Sequence, residues 1–281
     1  MNIPAALAAA TESLERAGVV EYRREAASLL RFVLDRPLSF LIAHPEYELS
    51  ETEAVAFAVA IERRSTREPF QYIVGRQEFY GLDFVVEPEV LIPRPETEIL
   101  VEAAIDELSP LDSPRFCEIG VGSGCVSVSM LVNLPNATAI GVDVSRSALA
   151  VAERNATTHK VKDRIDLIES DLFTNVAGRF DLIVSNPPYI PAEDIDTLQI
   201  EVRDYEPLMA LSGGPGGLDI VKRLIGDAPT YLNVGGSLMI EIGIGQSEDV
   251  AAMFDPLLWH KPNFLPDLQQ IPRNVLSKLR G

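Results

Sequence analysis

Five short apolar segments, separated by longer helix-like stretches, constrain the fold of this chain more than any other feature. The segments are RFCEIG, ATAIGVDV, RIDLIES, FDLIVSN and GSLMIEIG, and helical patterns lie between the first three and before the last. Apolar strands that alternate with helices form a parallel sheet with helices on both faces. The sequence therefore predicts an α/β fold with a doubly wound, mostly parallel sheet.

The part of the chain before this alternation has a different character. Residues 1–75 show helical patterns only, and no strand pattern interrupts them. From residue 71 to residue 86 the apolar period changes to two, which predicts a β-hairpin. We predict a small all-helical N-terminal domain over residues 1–74, a hairpin linker over residues 75–93 and a catalytic domain over residues 94–281.

Composition and charge limit the class of partner. The 281 residues can bury the core of one or two domains, and a hydrophobic content of 47% argues against wholesale disorder. Forty-two Asp and Glu against 24 Lys and Arg give a net charge of −18. Such a surface repels phosphate groups, so we expect no stable binding to nucleic acid or to anionic membranes.

The cysteines and the N-terminus indicate the compartment. Cys117 and Cys125 are too few for a disulfide framework or a cysteine-based zinc site, which favours a reducing environment. The N-terminal segment lacks the basic start and apolar run of a signal peptide, and no apolar run reaches the ~18 residues of a spanning helix. We expect a monomeric cytoplasmic protein, or one in an organelle matrix, without a metal.

A glycine-rich loop follows the first predicted strand of the sheet. It contains, in order, Gly120, Val121, Gly122, Ser123 and Gly124. Glycines let a ligand approach the backbone, and the N-terminus of the following helix offers free N–H groups. The spacing matches neither the dinucleotide fingerprint nor a P-loop. We predict a nucleoside-binding loop of another type, with a purely structural tight turn as the alternative.

Acidic residues stand at the ends of the next two strands. Asp143 ends the second strand, where a carboxylate can accept hydrogen bonds from both hydroxyls of a ribose. Asp171 follows the third strand and can accept from an adenine amino group, while Leu172 packs on the ring. Each acid taken singly also suits a helix cap. Because they follow successive parallel strands, they together predict one adenosine site.

A proline-rich tetrapeptide follows the fourth strand of the sheet. Its residues are Asn186, Pro187, Pro188 and Tyr189. The prolines fix φ and keep the residues before them extended, so the loop is stiff. Asn186 Oδ1 and the Pro187 carbonyl are two acceptors that match the two N–H donors of a planar –NH2 group. Tyr189 can stack on that group and tolerates a nearby sulfonium cation. We predict these four residues to be catalytic.

These motifs resemble a known class of enzymes. GVGSG, Asp143, SDLF and NPPY are similar to the motifs of Rossmann-like S-adenosylmethionine-dependent methyltransferases that act on amino or amide nitrogen. Longer segments, among them VLIPRPETEILVE, EVRDYEPLMALSGGPGGLDIVKRLI and GGSLMIEIGIGQ, resemble the HemK/PrmC family, the peptide-chain release factor N5-glutamine methyltransferases. The resemblance extends from about residue 68 to about residue 246, and the helical start also fits that family.

The resemblance implies a specific reaction and a specific set of site residues. The methyl donor would be S-adenosyl-L-methionine, and the acceptor the glutamine of the Gly-Gly-Gln loop in release factors of translation termination. The residues implied to hold the glutamine are Asn186, Pro187, Pro188 and Tyr189. Those implied to line the cofactor are the loop Gly120 to Gly124, Asp143, Leu172 and Asn186.

The sequence also departs from the family pattern. Val121 replaces a usual threonine, and Leu172 stands where an aromatic residue is frequent. The tail follows the family ending only loosely, so no role is assigned after about residue 255.

Three alternatives remain open at this stage. An adenine-N6 methyltransferase would present the same two donors to the tetrapeptide, although the segment 193–206 holds six acids against one base, an unfavourable surface for phosphate. A ribosomal-protein glutamine is a second possible acceptor. The third alternative is a binding module without transferase activity, against which the intact tetrapeptide argues. We further expect the N-terminal helices to dock the body of the release factor.

Overall fold

The computed structural model describes residues 1–267 and 269–281 of the chain. The contacts between these residues divide the chain into two compact units. The helical unit comprises Met1–Gly75 together with Gln199–Tyr205, and the sheet unit comprises Arg76–Leu198 together with Glu206–Gly281. The segment 199–205 therefore belongs to the helical unit, although in sequence it follows the fourth strand of the parallel sheet.

The elements alternate as the sequence pattern requires. The helices are α1 (Ile3–Arg16), α2 (Tyr22–Leu34), α3 (Leu38–Ala43), α4 (Glu51–Ser65), α5 (Phe70–Val74), α6 (Glu98–Leu108), α7 (Cys125–Asn133), α8 (Arg146–Thr158), α9 (Ile200–Arg203), α10 (Leu208–Leu211), α11 (Asp219–Tyr231) and α12 (Ser247–Met253). The strands are β1 (Arg76–Phe79), β2 (Leu82–Val85), β3 (Arg115–Ile119), β4 (Thr138–Asp143), β5 (Ile165–Glu169), β6 (Phe180–Ser185), β7 (Leu232–Glu241), β8 (Asn263–Pro266) and β9 (Pro272–Lys278).

The helical unit is held by caps and by an apolar core. Ser50 and Glu53 form a capping box at the start of α4, which satisfies backbone donors that a helix otherwise leaves free. Leu14, Leu29 and Leu30, from α1 and α2, are fully buried together with side chains of α4. Burial of these amphipathic faces stabilises helices that would be marginal alone.

The hairpin at the start of the sheet unit begins later than the sequence pattern predicted. Residues 71–74 belong to helix α5, which ends where Gly75 adopts a φ of +72°. Strands β1 and β2 then pair antiparallel from Arg76↔Val85 to Phe79↔Leu82. The expectation of a strand from residue 71 is wrong because a short helix with a left-handed glycine cap satisfies the backbone there.

The main sheet has seven strands in the order β5-β4-β3-β6-β7-β9-β8. The first five strands are parallel, and β9 and β8 are antiparallel. The predicted Rossmann-like α/β fold is thus confirmed, and the chain after residue 255, which received no assignment, completes the sheet with two strands. Strand β9 pairs antiparallel with β7 from Ser237↔Lys278 to Glu241↔Asn274, and Trp259, which precedes β8, is almost fully buried.

The chain order reverses between β3 and β6, and this reversal places the site. Ile119, the last residue of β3, pairs with Ser185, the last residue of β6. Ligands of open α/β sheets bind at such a switch point, beyond the carboxyl ends of the strands. The glycine loop after β3 and the tetrapeptide after β6 therefore emerge side by side. None of the helices within residues 1–267 and 269–281 has the length and apolar character needed to span a membrane.

Candidate active site

A cavity of about 180 Å³ opens at the carboxyl ends of β3, β4 and β6. It brings together side chains and loops that the sequence analysis selected from four separate segments. The predicted site residues that line it are Gly120, Val121, Gly122, Ser123, Asp143, Asp171, Leu172, Asn186, Pro187 and Pro188. Gly124 and Tyr189 are the predicted residues outside this lining.

The glycine loop is held in a conformation that suits glycine. Gly120, Gly122 and Gly124 have φ values of +77°, +51° and +81°. The N–H groups of Gly120 and Val121 both donate to the Val142 carbonyl at 2.8 Å, so the loop bends back on β4. A Cβ at Gly122 would meet nothing within 4 Å, whereas one at Gly124 would lie 3.2 Å from Ala152. Gly122 therefore leaves room for a ligand, and Gly124 lets two helices approach.

Asn155 supports the loop from behind, and the sequence analysis did not select it. This fully buried side chain donates to the Ser123 carbonyl at 2.8 Å and to the Val85 carbonyl at 3.0 Å. It also accepts from the Val85 N–H at 2.8 Å. A buried amide with all these partners fixes strand β2 against the glycine loop. The sequence signal was an asparagine on the apolar face of α8.

Asp143 lines the cavity and is not the cap of the next helix. Its two carboxylate oxygens accept from the N–H groups of Gly122 and Ser145, each at 2.9 Å. Helix α8 is capped by the Ser145 hydroxyl, which accepts from the Ala148 N–H. Burial raises the pKa of Asp143 above its ordinary value, and the backbone donors oppose that shift. A carboxylate accepts about four hydrogen bonds, so acceptor capacity remains toward the cavity.

Asp171 and Leu172 form the third part of the predicted adenosine site. One oxygen of Asp171 pairs with Arg223 at 2.8 Å, and both side chains are about half exposed. Leu172 is buried and has a φ of +47°, a conformation that is strained for a leucine. The turn therefore presses an apolar side chain into the cavity lining at a conformational cost.

The tetrapeptide directs its polar groups in two directions. Asn186 Nδ2 donates to the hydroxyl of Thr97 at 3.0 Å. The Tyr189 hydroxyl donates to Glu241 Oε1 at 3.2 Å, away from the cavity lining. Burial raises the pKa of the Tyr189 phenol well above its ordinary value, and the nearby Glu241 adds to the shift. Stacking of Tyr189 on a planar substrate stays a prediction, since its hydroxyl has a partner inside the protein.

A second glycine-rich segment, residues 212–217, packs directly on the tetrapeptide. A Cβ at Gly213 would lie 2.7 Å from the Pro188 carbonyl oxygen, and one at Gly217 would overlap the Tyr189 carbonyl oxygen. Gln246 Nε2 donates to the same Tyr189 carbonyl at 2.9 Å. This segment, which from the sequence was only a turn-rich loop, therefore holds the backbone of the tetrapeptide.

Two buried carboxyls near the site were also not selected from the sequence. Glu118 lines the cavity, is 2% exposed and accepts hydrogen bonds from the backbone N–H and the hydroxyl of Ser127. Burial raises its pKa to about 8, against the effect of those bonds. Glu241 is equally buried, and burial raises its pKa to about 7. The available signal was a glutamate inside the apolar strands FCEI and LMIEI, where charged side chains are rare.

The acidic segment 193–206 is less solvated than its composition indicates. Glu206 is buried, pairs with Arg94 at 2.5 Å and accepts from the Ile92 N–H at 3.2 Å. Within the helical unit, Glu201 pairs with Arg64 at 3.0 Å and with Arg67 at 2.7 Å. These two acids are members of ion pairs inside the protein. The segment therefore repels anions less strongly than the count of six acids predicted.

The described side chains were also compared with the requirements of a metal site. Among the residues that the structure describes, no three or more His, Cys, Asp and Glu side chains form a group that could hold a metal ion. The arrangement instead combines a glycine loop, buried carboxyls and a stiff acceptor-rich loop. It can bind a nucleoside with a cationic substituent and present a planar –NH2 group to it.

Comparison with known families agrees with both units. Residues 5–75 match the model of the PrmC N-terminal domain, and residues 96–201 match that of the methyltransferase small domain. The chain is 47% identical over 242 residues to the release factor glutamine methyltransferase of Geobacter sulfurreducens, covering 86% of this chain and 84% of that protein. It is 39% identical over 281 residues to that of Koribacter versatilis, covering 99% of each.

Solved structures share the fold at low sequence identity. The hMettl16 catalytic domain is 17% identical, covers 82% of each chain and has a TM-score of 0.59. The Thermus thermophilus 16S rRNA N2 G1207 methyltransferase, solved with AdoMet and guanosine, is 17% identical with a TM-score of 0.52. It covers 73% of this chain and 50% of that chain. These likenesses establish a methyltransferase fold.

Proposed function

This chain belongs to the release factor glutamine methyltransferase family, and we propose that it transfers a methyl group from S-adenosyl-L-methionine to the side-chain amide nitrogen (N5) of a release factor glutamine, that of the Gly-Gly-Gln loop. The observation that carries the proposal is the position of Asn186 and Pro187 in the wall of the same cavity as the glycine loop and Asp143. One cavity thus combines the features of a donor site and an amide site.

The residues of the cavity fit the proposed donor. The open side of Gly122 admits a ligand to the backbone, and Asp143 retains acceptor capacity for ribose hydroxyls. Asp143 and Glu89 give the lining a negative character that suits a cationic ligand. S-adenosylmethionine supplies a methyl group on a positively charged sulfur when it is bound.

The chain's own residues act on the amide nitrogen. An amide nitrogen is a poor nucleophile because its lone pair is delocalised into the carbonyl. Asn186 Oδ1 and the Pro187 carbonyl accept its two N–H groups, aim the lone pair and stabilise the positive charge that grows on the nitrogen. The methylated nitrogen is far more acidic than the amide, so its proton leaves without a strong base.

The acceptor pair by itself does not separate glutamine from adenine, so the surroundings decide between them. Arg94 is the only cation in the described cavity lining, and Glu206 neutralises it. Met209 lines the cavity and is 59% exposed, as is its neighbour Leu208. An apolar rim without free cations suits a protein loop better than a phosphate backbone.

The assay that tests the proposal measures the intact mass of a purified bacterial release factor after incubation with S-adenosylmethionine. We expect the addition of one methyl group, and none when the Gly-Gly-Gln glutamine is replaced by alanine. Asn186→Ala should lower turnover about 10²-fold or more, the scale of losing one transition-state partner. Asn186→Asp keeps an acceptor and tests the effect of added charge.

Parallel reactions contain duplex DNA and purified ribosomal proteins as methyl acceptors. Methyl incorporation into DNA adenine or into a ribosomal-protein glutamine, with none into the release factor, would overturn the proposal. Binding of the donor without transfer to any of these acceptors would instead favour a module that has lost its activity.

We also propose the setting in which the enzyme acts. Its substrate is a protein of translation, which is consistent with the cytoplasm and with a soluble monomer that binds no nucleic acid stably. The helical unit, which carries no part of the cavity lining, would contact the body of the release factor.

A further inference from the structure

The side chain of Asn186 can occupy its place in two orientations. The oxygen and the nitrogen of an amide have nearly the same shape, so packing alone does not separate them. Only the orientation with Oδ1 toward the substrate offers an acceptor to an incoming –NH2 group. With Nδ2 in that position, two donors would face each other and transfer would be disfavoured. Something in the protein must therefore select the orientation.

Thr97 is the side chain that Asn186 contacts. Its hydroxyl lies 3.0 Å from Asn186 Nδ2, and the residue is 2% exposed, so water does not compete for the contact. Thr97 ends the turn Pro95–Thr97, just before helix α6. A hydroxyl can donate or accept, so this contact does not orient the amide unless the hydroxyl proton is committed elsewhere.

Glu241 is the carboxyl that can favour one direction of that proton. It ends strand β7 and is 2% exposed, and its Oε1 accepts from the Tyr189 hydroxyl at 3.2 Å. Oε2 has no hydrogen-bond partner among the described residues. The Thr97 hydroxyl also acts on this carboxyl, whose charged form it favours. A Thr97 proton turned toward Glu241 would give a donor to a carboxyl that is short of donors, and it would leave the Thr97 lone pairs for Asn186 Nδ2.

We propose that Thr97 is a positioning residue: its buried hydroxyl, 3.0 Å from Asn186 Nδ2, holds the side-chain amide of Asn186 with Oδ1 toward the substrate nitrogen. Glu241 accepts from the Tyr189 hydroxyl at the other end of the tetrapeptide. The inference rests on the proposed function, since it specifies how the acceptor pair of that reaction is set.

The test compares two changes at Thr97 that differ in one hydroxyl. Thr97→Val keeps the shape and removes the hydroxyl, whereas Thr97→Ser keeps the hydroxyl and removes a methyl group. Thr157→Val, at an exposed position of α8 where the hydroxyl bonds its own helix, is the matched control. Each variant is assayed with S-adenosylmethionine and a purified release factor for kcat and KM, and by calorimetry for the donor Kd.

We expect Thr97→Val to lower kcat about tenfold or more while donor Kd and KM stay within about threefold of wild type. Thr97→Ser should retain most of the turnover, and Thr157→Val all of it. Adding Thr97→Val to Asn186→Ala should lower kcat little further in the double variant, because Thr97 acts through the side chain of Asn186.

Other results would overturn the inference. Wild-type kcat in Thr97→Val would show that the hydroxyl does not orient Asn186. Equal losses in Thr97→Ser and Thr97→Val, or fully additive losses in the double variant, would assign the effect to packing. If the wild-type enzyme transfers no methyl group to the release factor, the proposed function itself falls, and this inference falls with it.

Discussion

At the scale of single residues, this site depends on carboxyl groups that the fold removes from water. Glu118 is buried beneath the glycine loop with Ser127 as its hydrogen-bond partner. Burial raises its pKa to about 8, whereas an exposed glutamate has a value near 4.5. Carboxyl groups with strongly shifted pKa values are common at functional sites, where they are placed for a ligand and not for stability.

The Glu118 carboxyl predicts how stability changes with pH in the absence of donor. Between pH 4.5 and about 8 the folded state keeps a proton that the unfolded state has lost. The free energy of unfolding should therefore fall as pH rises through that window. Glu118→Gln cannot ionise, so its melting temperature should fall less than that of wild type from pH 5 to about pH 8. If the melting temperatures of the two proteins changed equally with pH, a raised pKa of Glu118 would be refuted.

Asp143 predicts a defect in binding and not in folding. Asp143→Ala should weaken S-adenosylmethionine binding by about 1.5–3 kcal/mol, the scale of a hydrogen bond to a charged group. The fold should survive because Ser145, and not Asp143, caps helix α8. Titration calorimetry measures the affinity, and Asp166→Ala, an exposed change on β5, is the control. Unchanged affinity with normal thermal stability would rule out a contribution of Asp143 to donor binding.

At the scale of elements, the tetrapeptide is held by a loop that is distant in sequence. Residues 212–217 lie against the carbonyls of Pro188 and Tyr189. The prolines make the tetrapeptide stiff. Its position over the cavity also depends on Gly213 and Gly217, whose lack of a side chain lets the loop pack this closely. The loop is therefore rich in glycine because its backbone approaches the tetrapeptide closely, and not only because it turns.

Two glycines of this loop form a matched pair for a test. Gly216 and Gly217 both have positive φ, at +68° and +77°, so alanine at either position incurs a similar conformational cost. A Cβ at Gly216 meets nothing within 4 Å, whereas one at Gly217 overlaps the Tyr189 carbonyl oxygen. Gly217→Ala should therefore lower methyl transfer about tenfold or more, with Gly216→Ala close to wild type. Equal turnover in the two variants would contradict the supporting role of the loop.

At the scale of the whole molecule, some of the acidic side chains are paired inside the protein and do not contribute to a free acidic surface. The net charge of −18 includes Glu201 and Glu206, which form ion pairs within their own units and not a free acidic surface. Buried pairs of this kind specify where a segment lies more than they stabilise it. Segment 199–205 is accordingly tied to Arg64 and Arg67 of the helical unit.

The division into two units predicts that donor binding and recognition of the release factor can be separated. Without residues 1–75, the protein should bind S-adenosylmethionine with an affinity within about threefold of wild type, because the cavity lining lies in the sheet unit. Transfer to a whole release factor should fall far more than transfer to a short peptide that contains Gly-Gly-Gln. Deletion also leaves Glu201 without its arginines, so Glu201→Gln in the shortened chain is the control. Equal losses on protein and peptide would argue against docking by the helices.

The local sequence determined much of this protein. Strand–helix alternation specified the α/β fold, and the motifs specified the family and the reaction class, all of which are confirmed. These features are readable because the periodicity and glycine placement of a segment depend on its immediate backbone requirements. The residue roles at the loops after β3, β4 and β6 stay predictions, although the structure brings all three loops to one cavity.

Tertiary structure alone decided the remaining features. The partners of Asn155 and Glu241, the ion pairs of the acidic segment and the support of the tetrapeptide all join residues that are distant in the chain. The last two strands were also unassigned from sequence, because β9 is stabilised by pairing with β7, far from its own neighbours. Local propensity does not encode which distant group removes a side chain from water, and that removal sets its pKa and its hydrogen bonds.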